Sequence, residues 1–221
     1  MPAGIIFDFD GVLLESEFEG NRHLAELLTA LGHPTTIEEA LTHYIGLSGK
    51  QFIDAIEQRI GTQLPPEFHI QRNQEDARVL AEGLNAVTGA IDFVRELPAA
   101  MPKAVASSST RHWLQTHLAH LGLGNAFGDH VYSGREDVER GKPAPDLYLH
   151  AARQIGVPID GVAIIEDSEV GARAALAAGA RVIGLVAGAH CLLGHDERLQ
   201  ALGVEEIAYS FADLRTLLRL A

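Results

Sequence analysis

Apolar residues along this chain fall into two regimes of spacing. Near the start, Ile5, Ile6 and Phe7 form a short continuous run between Gly4 and Asp8, the pattern of a fully buried strand. Over the next stretch the spacing turns helical. Leu24, Leu27, Leu28 and Leu31 make one stripe that Gly32 ends, and Thr36 followed by Glu39 is a capping-box pattern opening a second helix towards Tyr44. Ser48 is placed to cap a third, whose Phe52, Ile53, Ile56 and Ile60 recur until Gly61. Pro65 and Pro66 stand where a fourth begins, continuing through Ala77 and Leu80. No strand pattern interrupts this bundle.

From Gly89 onward, short apolar runs alternate with helical stripes. Helices are expected over 91–97, 111–121, 146–155 and 170–178, and strands over 104–106, 131–132, 162–165 and 181–186. A last strand near 207–209 precedes a closing helix in which Ser210 and Asp213 resemble an N-cap and its third position. Alternating strand and helix means a parallel sheet covered on both faces. The expected class is therefore α/β: a doubly wound, mostly parallel, Rossmann-like sheet core made of residues 1–15 and 87–221, with an all-helical domain, residues 16–86, inserted.

Ligands on such sheets bind beyond the carboxyl ends of the strands, so the strand ends carry the candidate chemistry. The first strand empties into Asp8 and Asp10, which alternation along an extended chain puts on one side, with Phe9 turned away. Two carboxylates that close repel unless a cation lies between them or one is protonated. For a lone Asp-x-Asp, solvated acids at a strand end would be the ordinary reading. The other strands change that picture: one delivers Ser107, another Glu166 and Asp167, and Lys142 lies in the loop Gly141-Lys142-Pro143-Ala144-Pro145. If these strands are neighbours, four carboxylates converge with one hydroxyl and one ammonium. Oxygen ligands without His or Cys select a hard cation, and Mg²⁺, which shares its shell with waters and phosphate, is the natural choice. Ser107 and Lys142 then serve as donors to phosphoryl oxygens.

Asp8-Phe9-Asp10-Gly11-Val12, Ser107 after a strand, Lys142-Pro143 in a loop, and Glu166-Asp167-Ser168 with Gly171 resemble, in order, the four motifs of the haloacid-dehalogenase-like hydrolase superfamily. The helical insert is similar to the cap of the branch that holds beta-phosphoglucomutase and phosphoglycolate phosphatase. The resemblance implies that Asp8 is the nucleophile that becomes an aspartyl phosphate, and that Asp10 protonates the leaving alkoxide and then deprotonates water. It implies a Mg²⁺ held by Asp8, the backbone carbonyl of Asp10, Asp167 and Glu166. Ser107, Ser108 and Lys142 would bind the phosphoryl group, and Lys50, in the cap loop Gly46-Leu47-Ser48-Gly49-Lys50, would read the substrate. Mutases of this branch carry a His near position 20 and an Arg beside that cap loop, where this chain has Gly20 and Gly49, with Lys50 one residue late. Hydrolysis of a small sugar-like or organic-acid phosphate monoester is therefore expected, with a phosphosugar mutase as the alternative. A phospho-aspartate receiver module uses similar residues, but a helical insert of about 75 residues lies far outside normal loop lengths for it.

Composition narrows the partners. Asp plus Glu outnumber Lys plus Arg by 30 to 17 in 221 residues, a formal charge of −13, which disfavours nucleic acid and anionic membranes. The single cysteine, Cys191, excludes an internal disulfide framework, and Asp8 arrives before any signal-like apolar segment can form; a cytoplasmic protein, monomeric, is expected. Neither the His112, His117, His120 group nor the His190, Cys191, His195 group shows the four-ligand spacing of structural zinc, so solvated or capping roles are expected. Glu15, Glu17 and Glu19 read as a solvated acidic run, and Trp113 as core.

Overall fold

A computed structural model describes residues 1–45, 47 and 49–220. Six strands, β1 (Gly4–Phe7), β2 (Lys103–Ser107), β3 (Val131–Ser133), β4 (Val162–Glu166), β5 (Arg181–Leu185) and β6 (Glu206–Ala208), form one parallel sheet in the order β3-β2-β1-β4-β5-β6. The doubly wound α/β class read from the sequence is what is observed. Phe7 pairs with Val105 of β2 and with Ile165 of β4, and this register stops the carboxyl ends of three neighbouring strands at one level.

The apolar runs are continuous because both faces of the sheet are covered. Ile5 and Phe7 turn into one cluster with Val105, Ile165 and Ile183, closed by α5 (Ala90–Glu96), α6 (Arg111–His120) and α10 (Phe211–Leu218). Ile6 turns the other way with Ala104, Ala106, Ile164 and Val182, under α7 (Asp146–Gln154), α8 (Glu169–Ala178) and α9 (His195–Ala201). Each large apolar side chain buried here contributes about 1.5–3 kcal/mol. That supplies a frame stiff enough to hold charges at its rim.

Between β1 and α5 run α1 (Ser16–Ala30), α2 (Ile37–Tyr44), α3 (Gly49–Ile60) and α4 (Pro66–Glu82), with a buried cluster of their own built on Leu24, Leu28, Tyr44, Ile56 and Phe68. The expected capping box is present: Thr36 Oγ1 accepts from the Glu39 backbone at 3.1 Å and Glu39 Oε2 accepts from the Thr36 backbone at 2.9 Å. The expected Ser48 cap, like Gly46, lies outside the described residues. The two chain crossings out of and back into the sheet unit lie side by side, joined by Glu15 N to Asn85 O at 2.9 Å and Val87 N to Leu13 O at 3.1 Å. Helix α9 was not expected. Its seven residues, His-Asp-Glu-Arg-Leu-Gln-Ala, carry one large apolar anchor, Leu199, which leaves no stripe to read. No helix among the described residues is long and apolar enough to cross a membrane.

Candidate active site

The level strand ends bring Asp8, Ser107, Glu166 and Asp167 together, and the loop before α7 adds Lys142. Lys142 Nζ donates to Asp8 Oδ1 at 2.7 Å and to Glu166 Oε1 at 2.6 Å, with all three side chains buried. Glu166 was expected to face a cation, yet both of its oxygens are taken by protein donors. Oε1 also accepts from the Tyr148 hydroxyl at 2.6 Å, and Oε2 accepts from the backbone of Asp167 and of Ser168 and from Ser168 Oγ. It stands behind Lys142 as an anchor for the loop and for the start of α8. That close packing explains Gly171, where a Cβ would fall 1.6 Å from Glu166 Oε1.

The charges in this pocket do not balance. One carboxylate oxygen from each of Asp8, Glu166 and Asp167 lies within 4.8 Å of the others, and among the described residues the only ammonium in contact is Lys142. Burial pushes the Asp8 carboxyl well above its usual range; Lys142 opposes this and the neighbouring Glu166 and Asp167 add to it. Asp167 is raised likewise, by burial first and then by Glu166. Glu166 goes the other way: burial would raise it, but the Lys142 ammonium and the Tyr148 and Ser168 donors hold it below the usual range. For Lys142, burial works against the charge, and Asp8 with Glu166 more than restores it. Asp8 and Asp167 are thus the two acids short of positive charge. Asp167 Oδ1 is buried with no hydrogen-bond partner among the described residues, and a buried orphan acceptor calls for a ligand. An all-oxygen donor set with surplus negative charge and an orphan oxygen fits a hard divalent cation between Asp8 and Asp167.

Asp10 sits in a different environment, and only the structure reveals it. Its Oδ1 accepts from Ser16 Oγ at 2.7 Å and from Trp113 Nε1 at 3.0 Å; its Oδ2 accepts from Ser109 Oγ at 2.7 Å and from Ser107 Oγ at 3.1 Å. Among the described residues, the two acids of the first motif therefore have no donor in common. Trp113, expected in the core, is half-buried on the first turn of α6, with its indole N–H aimed at Asp10 and His117 packed edge-on behind it at 4.2 Å. Ser107 spends its proton on Asp10 here. Ser108 is exposed, and its carbonyl accepts from Arg135 Nε at 3.0 Å. Lys50 is exposed on α3 and pairs with Asp54 of the same helix at 2.5 Å, rather than with any strand-end residue.

The acidic run after the first motif is not simply solvated. Glu15 accepts from the Ala189 backbone at 3.1 Å and Glu19 pairs with Arg22 at 2.7 Å. Glu17 is partly buried, and burial, followed by the charges of Asp167 and Asp10, raises its carboxyl to about 7 from 4.5. A raised acid binds its proton more tightly folded than unfolded, so the folded state loses stability as pH climbs from about 4.5 to about 7. Glu17→Gln removes that loss. In chelator, the variant should melt a few degrees above wild type at about pH 8 and together with it near pH 4.5; equal melting temperatures at both would contradict the assignment.

His190 and His195 were expected to be solvated or capping, and both are buried instead. His190 Nε2 lies 2.8 Å from Asp167 Oδ2, and His195 Nε2 lies 2.6 Å from the Asp167 carbonyl. Cys191 Sγ is 3.4 Å from His190 Nε2, and burial pushes its thiol far up, which keeps it neutral.

A sequence profile of the haloacid dehalogenase-like hydrolases matches residues 5–185. The 6-phosphogluconate phosphatase of Escherichia coli K12 is 29% identical over 188 residues, covering 84% of this chain and 83% of its own. The fructose-1-phosphate phosphatase YqaB of the same organism is 30% identical over 180 residues, 80% of this chain and 93% of its own. A crystal structure of a HAD family hydrolase from Deinococcus radiodurans, with bound phosphate and sodium, superposes with a TM-score of 0.86 at 32% identity, covering 98% of this chain and 94% of that one.

Proposed function

The chain belongs to the haloacid dehalogenase-like hydrolase family and is a phosphoric monoester hydrolase, and from that premise we propose that it hydrolyses a small sugar phosphate or phosphorylated organic acid with Mg²⁺, through an aspartyl phosphate on Asp8. The observation that carries this reading is the division of labour between the two acids of the first motif: Asp8 is held by an ammonium next to an unpartnered carboxylate oxygen, and Asp10 is held by hydroxyls and an indole.

In this reading Asp8 Oδ2, which no donor among the described residues occupies, attacks phosphorus, while Lys142 keeps Oδ1 neutralised and draws the phosphoryl oxygens in. Bound between Asp8 and Asp167, the divalent cation would screen the repulsion between carboxylate and phosphate. Asp10, which accepts four hydrogen bonds here, takes up a proton from solvent as the substrate enters, gives it to the leaving oxygen and regains one from the water that releases phosphate. Its four donors fix the orientation of the carboxyl group and leave when substrate arrives. Ser107 then turns from Asp10 to the phosphoryl group, and the exposed Ser108 lies beside it. Glu166 anchors Lys142. Residues 16–86 act as the lid over a core of 1–15 and 87–221, and Lys50 is a substrate reader only if the lid closes. Water is the acceptor rather than a second sugar hydroxyl, because Gly20 presents no side chain where a mutase would need one. Substrates named for relatives, 6-phosphogluconate and fructose 1-phosphate, set the first members of the panel to try. The enzyme is read as a cytoplasmic monomer.

The test is phosphate release from a panel of sugar and organic-acid phosphates, with Mg²⁺ and with chelator. Turnover of at least one such ester should fall by about 10³-fold or more on chelation, as expected for lost charge stabilisation at a phosphoryl group. Turnover that ignores chelation would overturn the metal-dependent reading.

A further inference from the structure

We propose that His190 is a positioning residue for the cation site, gripping one oxygen of Asp167 so that the other is presented to the metal. The inference rests on the reading of Asp8 and Asp167 as a cation site, and His190 itself lies outside the four motifs.

His190 follows β5, and its ring is buried, with Nε2 2.8 Å from Asp167 Oδ2. Its other nitrogen, Nδ1, is buried without a partner among the described residues. A neutral imidazole carries one N–H. The proton therefore belongs on Nε2, where it donates to Asp167 Oδ2, and the unpartnered Nδ1 is the bare nitrogen. The same carboxylate has its second oxygen, Oδ1, buried and unpaired. With one oxygen bonded to His190 and one open, Asp167 is set as a ligand of defined direction, the arrangement in which an outer hydrogen bond orients a metal-binding group.

The ring has little freedom to turn. A Cβ on Gly188 would lie 2.5 Å from its Cε1, and a Cβ on Gly11 would lie 2.8 Å from the same atom. Two glycine backbones, one in the first motif and one in the loop after β5, form the slot. Gly11 also has φ +80°, a left-handed conformation that favours glycine. His195, 5.7 Å away ring to ring, bonds the Asp167 carbonyl at 2.6 Å, so the residue is gripped at both side chain and main chain from one segment. Glu15 fastens that segment to the first chain crossing through Ala189 N at 3.1 Å. One ligand atom from each of His190, Cys191 and His195 lies within 4.8 Å of the others, but Nε2 of both imidazoles faces Asp167, which commits the pair to that residue.

The experiment compares His190→Leu, His190→Gln and His190→Asn. Gln can place an amide donor near the position of Nε2; Leu has none and Asn falls short. The readout is the Mn²⁺ dissociation constant, by electron paramagnetic resonance without substrate, together with melting temperature. Leu and Asn should weaken Mn²⁺ binding by about 10–100-fold, as loss of an outer partner typically does, while Gln stays within about 5-fold of wild type. In turnover assays, excess Mg²⁺ should restore most of the kcat lost in Asn. If Leu fails to fold, the Gln and Asn pair decides. Equal Mn²⁺ affinity in wild type, Gln and Asn overturns the proposal and leaves the phosphatase reading standing. Wild type that binds no Mn²⁺ overturns it together with the cation site.

Discussion

Asp8→Asn should abolish phosphate release, lowering kcat by at least about 10⁴-fold with little change in melting temperature. The loss is large because removing a covalent nucleophile removes a step rather than a contact. The fold should tolerate the change. Asn retains the shape of Asp, its side-chain oxygen can still accept from Lys142, now at 2.7 Å from Asp8 Oδ1, and the variant removes one of three buried carboxyls that crowd each other. Steady-state phosphate assays and thermal melts check both halves. Residual turnover within about 10-fold of wild type would mean that the nucleophile lies elsewhere.

Lys142→Met is the second large effect, and it should appear in stability as well as in rate. The ammonium serves two buried acids at 2.7 and 2.6 Å, and Tyr148 packs its ring 4.7 Å from Nζ. Removing one partner of a buried ionic group costs about 3–5 kcal/mol, because the charges left behind are unpaired. Removing an electrostatic donor to the reacting group costs about 10²–10³-fold in kcat. The pH dependence has a definite sign. In wild type Glu166 is held below its usual range, so its contribution to stability is present above about pH 4.5 and is lost as pH falls through its lowered value. In the variant burial prevails over the remaining donors, the Glu166 carboxyl rises above its usual range, and the folded state gains as pH falls. The stability deficit of Lys142→Met should therefore be widest at about pH 8 and narrow towards pH 5 in urea titrations. A deficit that does not vary with pH would show that packing, not charge, is what Lys142 supplies.

The parts of this site legible in the sequence are those that register alone determines. Once Ile5–Phe7, the run at 104–106 and the run at 162–165 are strands of one parallel sheet, Asp8, Ser107, Glu166 and Asp167 must leave it at one edge, whatever the helices do. Lys142 is legible from its Gly- and Pro-rich loop. The illegible parts depend on the angle of a helix or on the choice of a rotamer. Trp113 reaches Asp10 only because α6 starts immediately after Thr110 caps it, which turns the third helical residue towards the sheet edge. Ser16 and Tyr148 are similar: each lies on a helix whose azimuth comes from tertiary packing. Glu166 looks like a ligand by residue type, and the donors that occupy it come from its own next two residues and from α7. His190 is the least legible, since no spacing relates it to Asp167; the only trace is a histidine close to the glycines of a loop. Charge counts likewise misjudge Glu17, because what raises it is first its burial in the fold and then the charges of Asp167, far along the chain, and of Asp10.

The mechanism stands on a covalent phosphoryl group at Asp8, and an acid quench of a single turnover, with mass spectrometry of the peptide that carries Asp8, looks for it directly. In the presence of Mg²⁺ and a turned-over ester, that peptide should gain the mass of one phosphoryl group early in the time course and lose it as free phosphate appears. The gain should be absent in chelator and in Asp8→Asn. Full release of phosphate with no phosphorylated Asp8 at any quench time, from a step fast enough to sample, would contradict the mechanism.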